Sequence, residues 1–147
     1  VSMPGTEANA MKNYYPGDMY VDWLGVSCYP PSLSATYPEE RRYPLTLMQG
    51  IKQVSADKPI MISEGGYSST CDHQRWVREW FKLKDEEPRV KAVVWENHEN
   101  AENGDRRLQS DPLALELYKE LVQDPYWLDL IPDAVYSEIE TRKNNSK

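Results

Sequence analysis

Residues Lys58–Ser69 read KPIMISEGGYSS, a short apolar run that ends in a glutamate and then two glycines. The stretch from Pro59 to Glu64 has the length and branched apolar content of a strand. Its nearly continuous apolar character means that both faces are covered, as in a parallel sheet. Parallel α/β folds gather their chemistry at the carboxyl ends of the strands, so Glu64 stands where a functional carboxylate would stand. Alternation with period two puts Ile60, Ile62 and Glu64 on one face, two branched side chains beneath one carboxylate. Gly65 and Gly66 then let the backbone turn sharply and leave room above the carboxylate for a ligand.

Two more segments have the same character. YVDWLGVSCY (Tyr20 to Tyr29) predicts a strand before this one, and VKAVVWEN (Val90 to Asn97) predicts one after it. Helical patterns lie between and beyond them. Leu45, Leu47, Met48, Ile51 and Val54 form a rough helical stripe, with Pro44 suited to a first turn. Trp76, Val77, Trp80 and Phe81 recur at helical spacing behind Asp72, a candidate N-cap. Ser110 or Asp111 caps a last helix that starts at Pro112 and buries Leu113, Leu117 and Leu121. A short helix over Glu7 to Tyr14 precedes the first strand. Strands alternating with helices predict βα units and a parallel sheet, so the fold class is α/β. Three units fall far short of the roughly 250 residues of a closed eight-stranded barrel. The expectation is a small open sheet or part of a barrel. Residues 131–147 read as an extension, partly helical and then frayed at TRKNNSK.

Composition narrows the function. The chain has 147 residues and a formal charge of −7, and an acidic chain lacks the electrostatic footprint that phosphate backbones demand, so no nucleic-acid partner is expected. No apolar run reaches membrane-spanning length, and no membrane partner is expected. Five Trp and ten Tyr stand beside one Phe; polar-tipped aromatics suit core filling and also partly wet surfaces such as those that meet sugar rings. Cys28 and Cys71 form no metal spacing and read as two free thiols, with a disulfide geometrically conceivable. HENAE (His98 to Glu102) lacks the second histidine of a zinc-protease motif. Glu96, Glu99, Glu102 and Asp105 lack a calcium-loop pattern. No metal and no organic cofactor is expected. His73 reads as a surface residue, and EERR (Glu39 to Arg42) as an exposed charge cluster.

The three strand ends carry Tyr29, Glu64 and Trp95. A carboxylate flanked by a phenol and an indole supplies a nucleophile, a donor that holds it ionised, and a flat apolar platform for a pyranose face. YYPGDMYVDWLGVSCY, KPIMISEGG and VKAVVWENHENAENGDRRLQSDPLALELYKELVQDPYW resemble the sixth, seventh and eighth strand regions of glycoside hydrolase family 26, the β-mannanase family of the barrel glycosidases. The similarity runs from about Ala10 to Trp127. It implies that residues 1–130 form the last three βα units of a TIM (β/α)8 barrel, with β-linked polysaccharide or oligosaccharide as substrate and secretion of the intact enzyme. It implies that Glu64 is the nucleophile, that Tyr29 hydrogen-bonds it, and that Trp95 lies under the sugar at the cleavage point. Glu96, a candidate substrate contact, departs from the family pattern, in which an aromatic or a polar substrate contact is more usual at that place, and His98 could touch substrate. Asp105-Arg106-Arg107 stands where Asp-Trp-Arg is usual. The family's acid/base glutamate follows the fourth strand, so this chain is expected to hold half of the catalytic pair and to be inactive alone. Glu96 is a poor substitute if Trp95 faces the mouth, since alternation then turns Glu96 away. The rival readings are a β-glucanase or xylanase of the same clan, and a non-catalytic carbohydrate-binding or scaffolding half-barrel. Open strand edges predict self-association.

Overall fold

The computed structural model describes residues 11–30, 44, 48–100 and 104–127. Three strands, β1 (Leu24–Cys28), β2 (Ile60–Gly65) and β3 (Val90–Val93), form one parallel sheet in the order β1-β2-β3. Helix α1 (His73–Glu86) connects β2 to β3, and helix α2 (Pro112–Leu121) follows β3. Between β3 and α2 lies a small antiparallel hairpin, β4 (Glu99–Asn100) with β5 (Gly104–Asp105). The fold is thus mixed α/β with a parallel sheet, as the sequence pattern predicts.

The elements form for local reasons. The Asp72 side chain accepts from the Arg75 N–H at 3.0 Å and caps α1. Trp76, Val77, Trp80, Phe81 and Leu83 line its buried side. Asp111, not Ser110, caps α2, accepting from the Leu113 and Ala114 N–H groups at 3.0 and 3.1 Å, and Pro112 fills the first turn, where its missing N–H costs nothing. The expected buried face of α2 needs one correction. Leu113 is exposed, and Ala114 is the residue that reaches the core, with Leu117, Tyr118 and Leu121 packed beside it. Position 113 is the second helical residue, and the face that meets α1 starts one residue later. The stripe around Met48 and Ile51 is buried, but over Ile51–Gln53 it forms a 3-10 turn rather than an α-helix. Leu45 and Leu47 fall outside the described residues. Of the expected first helix, Met11–Tyr14 is a 3-10 turn and the remainder lies outside the described residues.

One core joins the sheet to the helices: Leu24, Cys28, Ile60, Ile62, Val90, Trp76, Trp80 and Tyr67 are all buried within it. Burying an aromatic side chain of this size contributes about 4–6 kcal/mol before ordering entropy is subtracted. Trp76 and Trp80, both fully buried, are therefore the largest single anchors of α1. Cys28 and Cys71 are free thiols. Burial pushes their pKa values up to about 12 and about 11.

The strands are shorter than the apolar runs that encode them. Gly17, at φ +107°, starts a turn that closes with Tyr20 N–H to Gly17 O at 3.0 Å, so β1 begins only at Leu24. β3 ends at Val93, yet its chain keeps following β2: Val94 N–H donates to Ile62 O at 2.8 Å and Glu96 N–H to Gly65 O at 2.7 Å. Among the described residues no helix is long and apolar enough to cross a membrane.

Candidate functional site

The β1–β2 register slips by one residue: Val26 pairs with Ile62, but Ser27 pairs with Glu64. Ser63 is the extra residue of a β-bulge, and a bulge resets which way the next side chain points. The expectation that Glu64 shares a face with Ile60 and Ile62 is corrected here. Both isoleucines are fully buried in the core, whereas Glu64 is exposed on the opposite side, with Ser27. The Ser27 hydroxyl donates to Glu64 Oε2 at 3.3 Å.

The two glycines act differently from expectation. Neither has a positive φ. A Cβ on Gly65 would sit 2.2 Å from Trp80 Cη2 and 2.5 Å from the Cys28 carbonyl oxygen. Gly65 therefore lets α1 and β1 close onto β2 and leaves no ligand space of its own. A Cβ on Gly66 would meet Glu96 O at 3.5 Å and Arg106 Cβ at 3.7 Å, ordinary contacts.

At the neighbouring tips the structure reverses the expected orientation of Trp95 and Glu96. Trp95 is half-buried toward the helices, edge-on to Tyr67, Trp80 and Tyr118 at centroid distances of 5.2, 5.4 and 5.8 Å. Its indole N–H donates to Arg106 O at 3.0 Å. Glu96 instead joins Tyr29 and Arg106. One Glu96 oxygen pairs with Arg106 Nη1, and the other faces His98 Nδ1 at 3.2 Å. The Arg106 guanidinium carbon lies 4.1 Å from the centroid of the Tyr29 ring. Arg106, 7% exposed, is the functional-site residue that the sequence reading missed. Its only signal was the DRR run itself.

The charges set the chemistry. Burial raises the pKa of Tyr29, and the nearby Glu96 and Glu64 carboxylates raise it further, so this phenol stays protonated. Its buried hydroxyl completes no hydrogen bond among the described residues, so the expected Tyr29–Glu64 bond is not formed at bonding geometry. Burial opposes ionisation of Glu96, but Tyr29, Arg106 and His98 outweigh it and hold the carboxyl below the ordinary range. A general acid needs the opposite shift, so Glu96 is unsuited to protonate a leaving group. The site thus unites Glu64, Tyr29, Glu96, His98 and Arg106 at the carboxyl end of the sheet and turns Trp95 toward the helix layer.

Residues passed over in the sequence prove structural. His73 is not a plain surface residue. Nδ1 contacts Asp111 Oδ2 and Nε2 contacts Ser68 O, each at 3.0 Å, and the ring stacks on Tyr67 at 3.9 Å. It ties the loop after β2 to the N-terminus of α2. The acids near the hairpin are already engaged: Asp105 bonds Arg107 Nε and Nη2 at 2.9 and 2.6 Å, and Arg107 also pairs with Glu99 at 3.3 Å. Among the described residues no group of three or more His, Cys, Asp or Glu is placed to hold a metal ion.

No family model matches the chain, and neither does any curated protein sequence.

Proposed function

We propose that this chain is the C-terminal part of a (β/α)8-barrel glycoside hydrolase resembling family 26, acting by retention on β-1,4-linked polysaccharide with Glu64 as nucleophile. The observation that carries the reading is the position of Glu64: solvent-accessible at the carboxyl end of a parallel sheet, held by Ser27 and bordered by the Tyr29 phenol. The sheet also has the two-sided character of a barrel wall. Helices cover one side, while Gly25, Ser27, Ser63 and Glu64 are exposed on the other. Beside β1, an outer strand among the described residues, runs a groove of about 290 Å³ lined by Tyr15, Trp23, Val26, Ser27 and Ser63. A preceding βα unit would fill such a groove.

In the proposed reaction a Glu64 oxygen attacks the anomeric carbon. The bond to the leaving oxygen breaks as a second carboxylic acid protonates that oxygen. Water, deprotonated by the same carboxylate, then attacks the glycosyl ester and frees Glu64. The second carboxyl must lie about 5–5.5 Å from Glu64. Glu96, held ionised, does not fill the role, so the partner comes from elsewhere in the barrel. That same observation favours a second reading, in which the chain by itself binds carbohydrate without cleaving it.

The test is chemical rescue. In a chain long enough to supply the acid/base, Glu64→Ala should lower hydrolysis of an activated aryl β-glycoside by several orders of magnitude. Azide should restore turnover and yield a glycosyl azide of inverted configuration. Near-normal hydrolysis by Glu64→Ala would end the proposal. A panel of mannan, glucan and xylan separates the mannanase reading from its relatives.

A further inference from the structure

We propose that Arg106, held by Glu96, is a positioning residue that aims Tyr29 at Glu64; the role rests on Glu64 being the nucleophile. A guanidinium is costly to bury unless it is paired. Arg106 is buried, and its partner Glu96 comes from the chain that continues β3 along β2. Both Glu96 oxygens are occupied, one by Arg106 and one by His98. Glu96 therefore orients Arg106, a role in addition to the substrate contact that its place in the sequence implies.

The backbone of Arg106 is fixed on both sides. Its N–H donates to His98 O at 3.1 Å, and its carbonyl accepts from the Trp95 indole at 3.0 Å. Its side chain runs beside Gly66, where an added Cβ would make only ordinary contacts with Arg106 Cβ and Cδ at 3.7 and 3.8 Å. What the fixed guanidinium meets is the face of Tyr29, at 4.1 Å. A planar cation held against a ring face limits how far the whole ring can swing about its Cα–Cβ bond, the motion that would carry the hydroxyl away. Ser27 pairs with Glu64 and Tyr29 follows two residues later, so the Tyr29 hydroxyl, which completes no hydrogen bond among the described residues, is held between the Glu96 and Glu64 carboxylates. Catalytic hydrogen bonds are often loose in the empty enzyme and tighten with substrate bound. The two places where this sequence departs from the family pattern, position 96 and position 106, are thus each other's partners.

The experiment uses the full 147-residue chain labelled with 3-fluorotyrosine and read by fluorine NMR, with Tyr29→Phe identifying the Tyr29 signal. Arg106→Lys keeps the charge and loses the plane; Glu96→Gln keeps the shape and loses the charge. Each should displace or broaden the Tyr29 signal and leave the other tyrosines in place, and the double variant should do no more than either single change. An unmoved Tyr29 signal in either folded variant overturns the proposal. Glu96→Gln decides if Arg106→Lys fails to fold. In a longer, catalytically complete chain, Arg106→Lys should lower kcat by about ten- to a hundredfold, with KM changed by less than about twofold. Undiminished kcat there also overturns the clamp. If no glycosidase activity exists but the Tyr29 signal moves, the glycosidase reading fails while the geometric coupling of Arg106 to Tyr29 stands.

Discussion

Gly65→Ala should be the most damaging single-methyl addition in the described structure. The new Cβ would lie 2.2 and 2.7 Å from two ring carbons of Trp80 and 2.5 Å from the Cys28 carbonyl oxygen. Trp80 cannot yield easily, because it is fully buried between Trp76 and Trp95, at centroid distances of 6.4 and 5.4 Å. The carbonyl cannot yield without moving β1. Overpacking by one methyl group costs about 1–3 kcal/mol in a core that can adjust; a clash with both backbone and a packed indole belongs at or above the top of that range. A loss of about 3 kcal/mol, with a urea slope of about 1–2 kcal/mol/M, lowers the unfolding midpoint by about 1.5–3 M. Gly66→Ala, whose nearest contact is 3.5 Å, serves as the control and should shift the midpoint little. Trp80→Leu combined with Gly65→Ala should recover only part of the loss, since the Cys28 contact remains. Equal midpoints for the two single variants in urea titrations followed by tryptophan fluorescence would refute the reasoning.

Trp95→Ala should cost about 3 kcal/mol in thermal or urea unfolding, since it removes three aromatic edge contacts and the bond to Arg106 O. A loss below about 1 kcal/mol would restore the open sugar platform. The pKa of Asp111 is lowered, first by the Ala114 N–H and also by His73, against an opposing burial cost. Its contribution to stability is therefore complete above the unfolded carboxylate pKa of about 4 and lost as pH falls through the lower folded value. Asp111→Asn should flatten that acid-side loss in denaturation midpoints measured across this window, and an unchanged pH dependence would contradict the assignment. Among the described residues β1 and β3 are outer strands, so the isolated chain should show concentration-dependent sedimentation; a single monomer at every concentration would count against open edges.

The strands, their parallel pairing and the cap of α1 were legible because each rests on local chemistry: branched apolar runs, alternation with helices, and an aspartate before an apolar stripe. The direction of the site residues was not. Alternation assumes an unbroken ladder, and the bulge at Ser63 breaks it one residue before Glu64. Trp95 and Glu96 do point opposite ways, and the chain keeps following β2 past Val93, but the phase is the reverse of the one the resemblance implies: the indole packs on Tyr67, Trp80 and Tyr118 and Glu96 takes the site side. Arg106 was visible as a departure from a family pattern, yet its partner lies ten residues earlier, across the hairpin. Pairing of that kind is set by how the hairpin folds back. The reason for Gly65 was hidden in the same way, since the atoms that exclude a side chain there belong to β1 and α1.

The central claim is that Glu64 is a glycosidase nucleophile, and covalent trapping tests it most directly. A 2-deoxy-2-fluoro-β-glycosyl fluoride carries a leaving group that departs without protonation, so the label forms on the nucleophile without help from the second carboxyl. After incubation with the barrel-completed protein, peptide mass mapping should find one glycosyl ester, on Glu64 of the stretch ISEGGYSS. The Glu64→Ala protein should remain unlabelled. A label on a different carboxylate, or no label in a preparation that hydrolyses the matching aryl glycoside, would contradict the account.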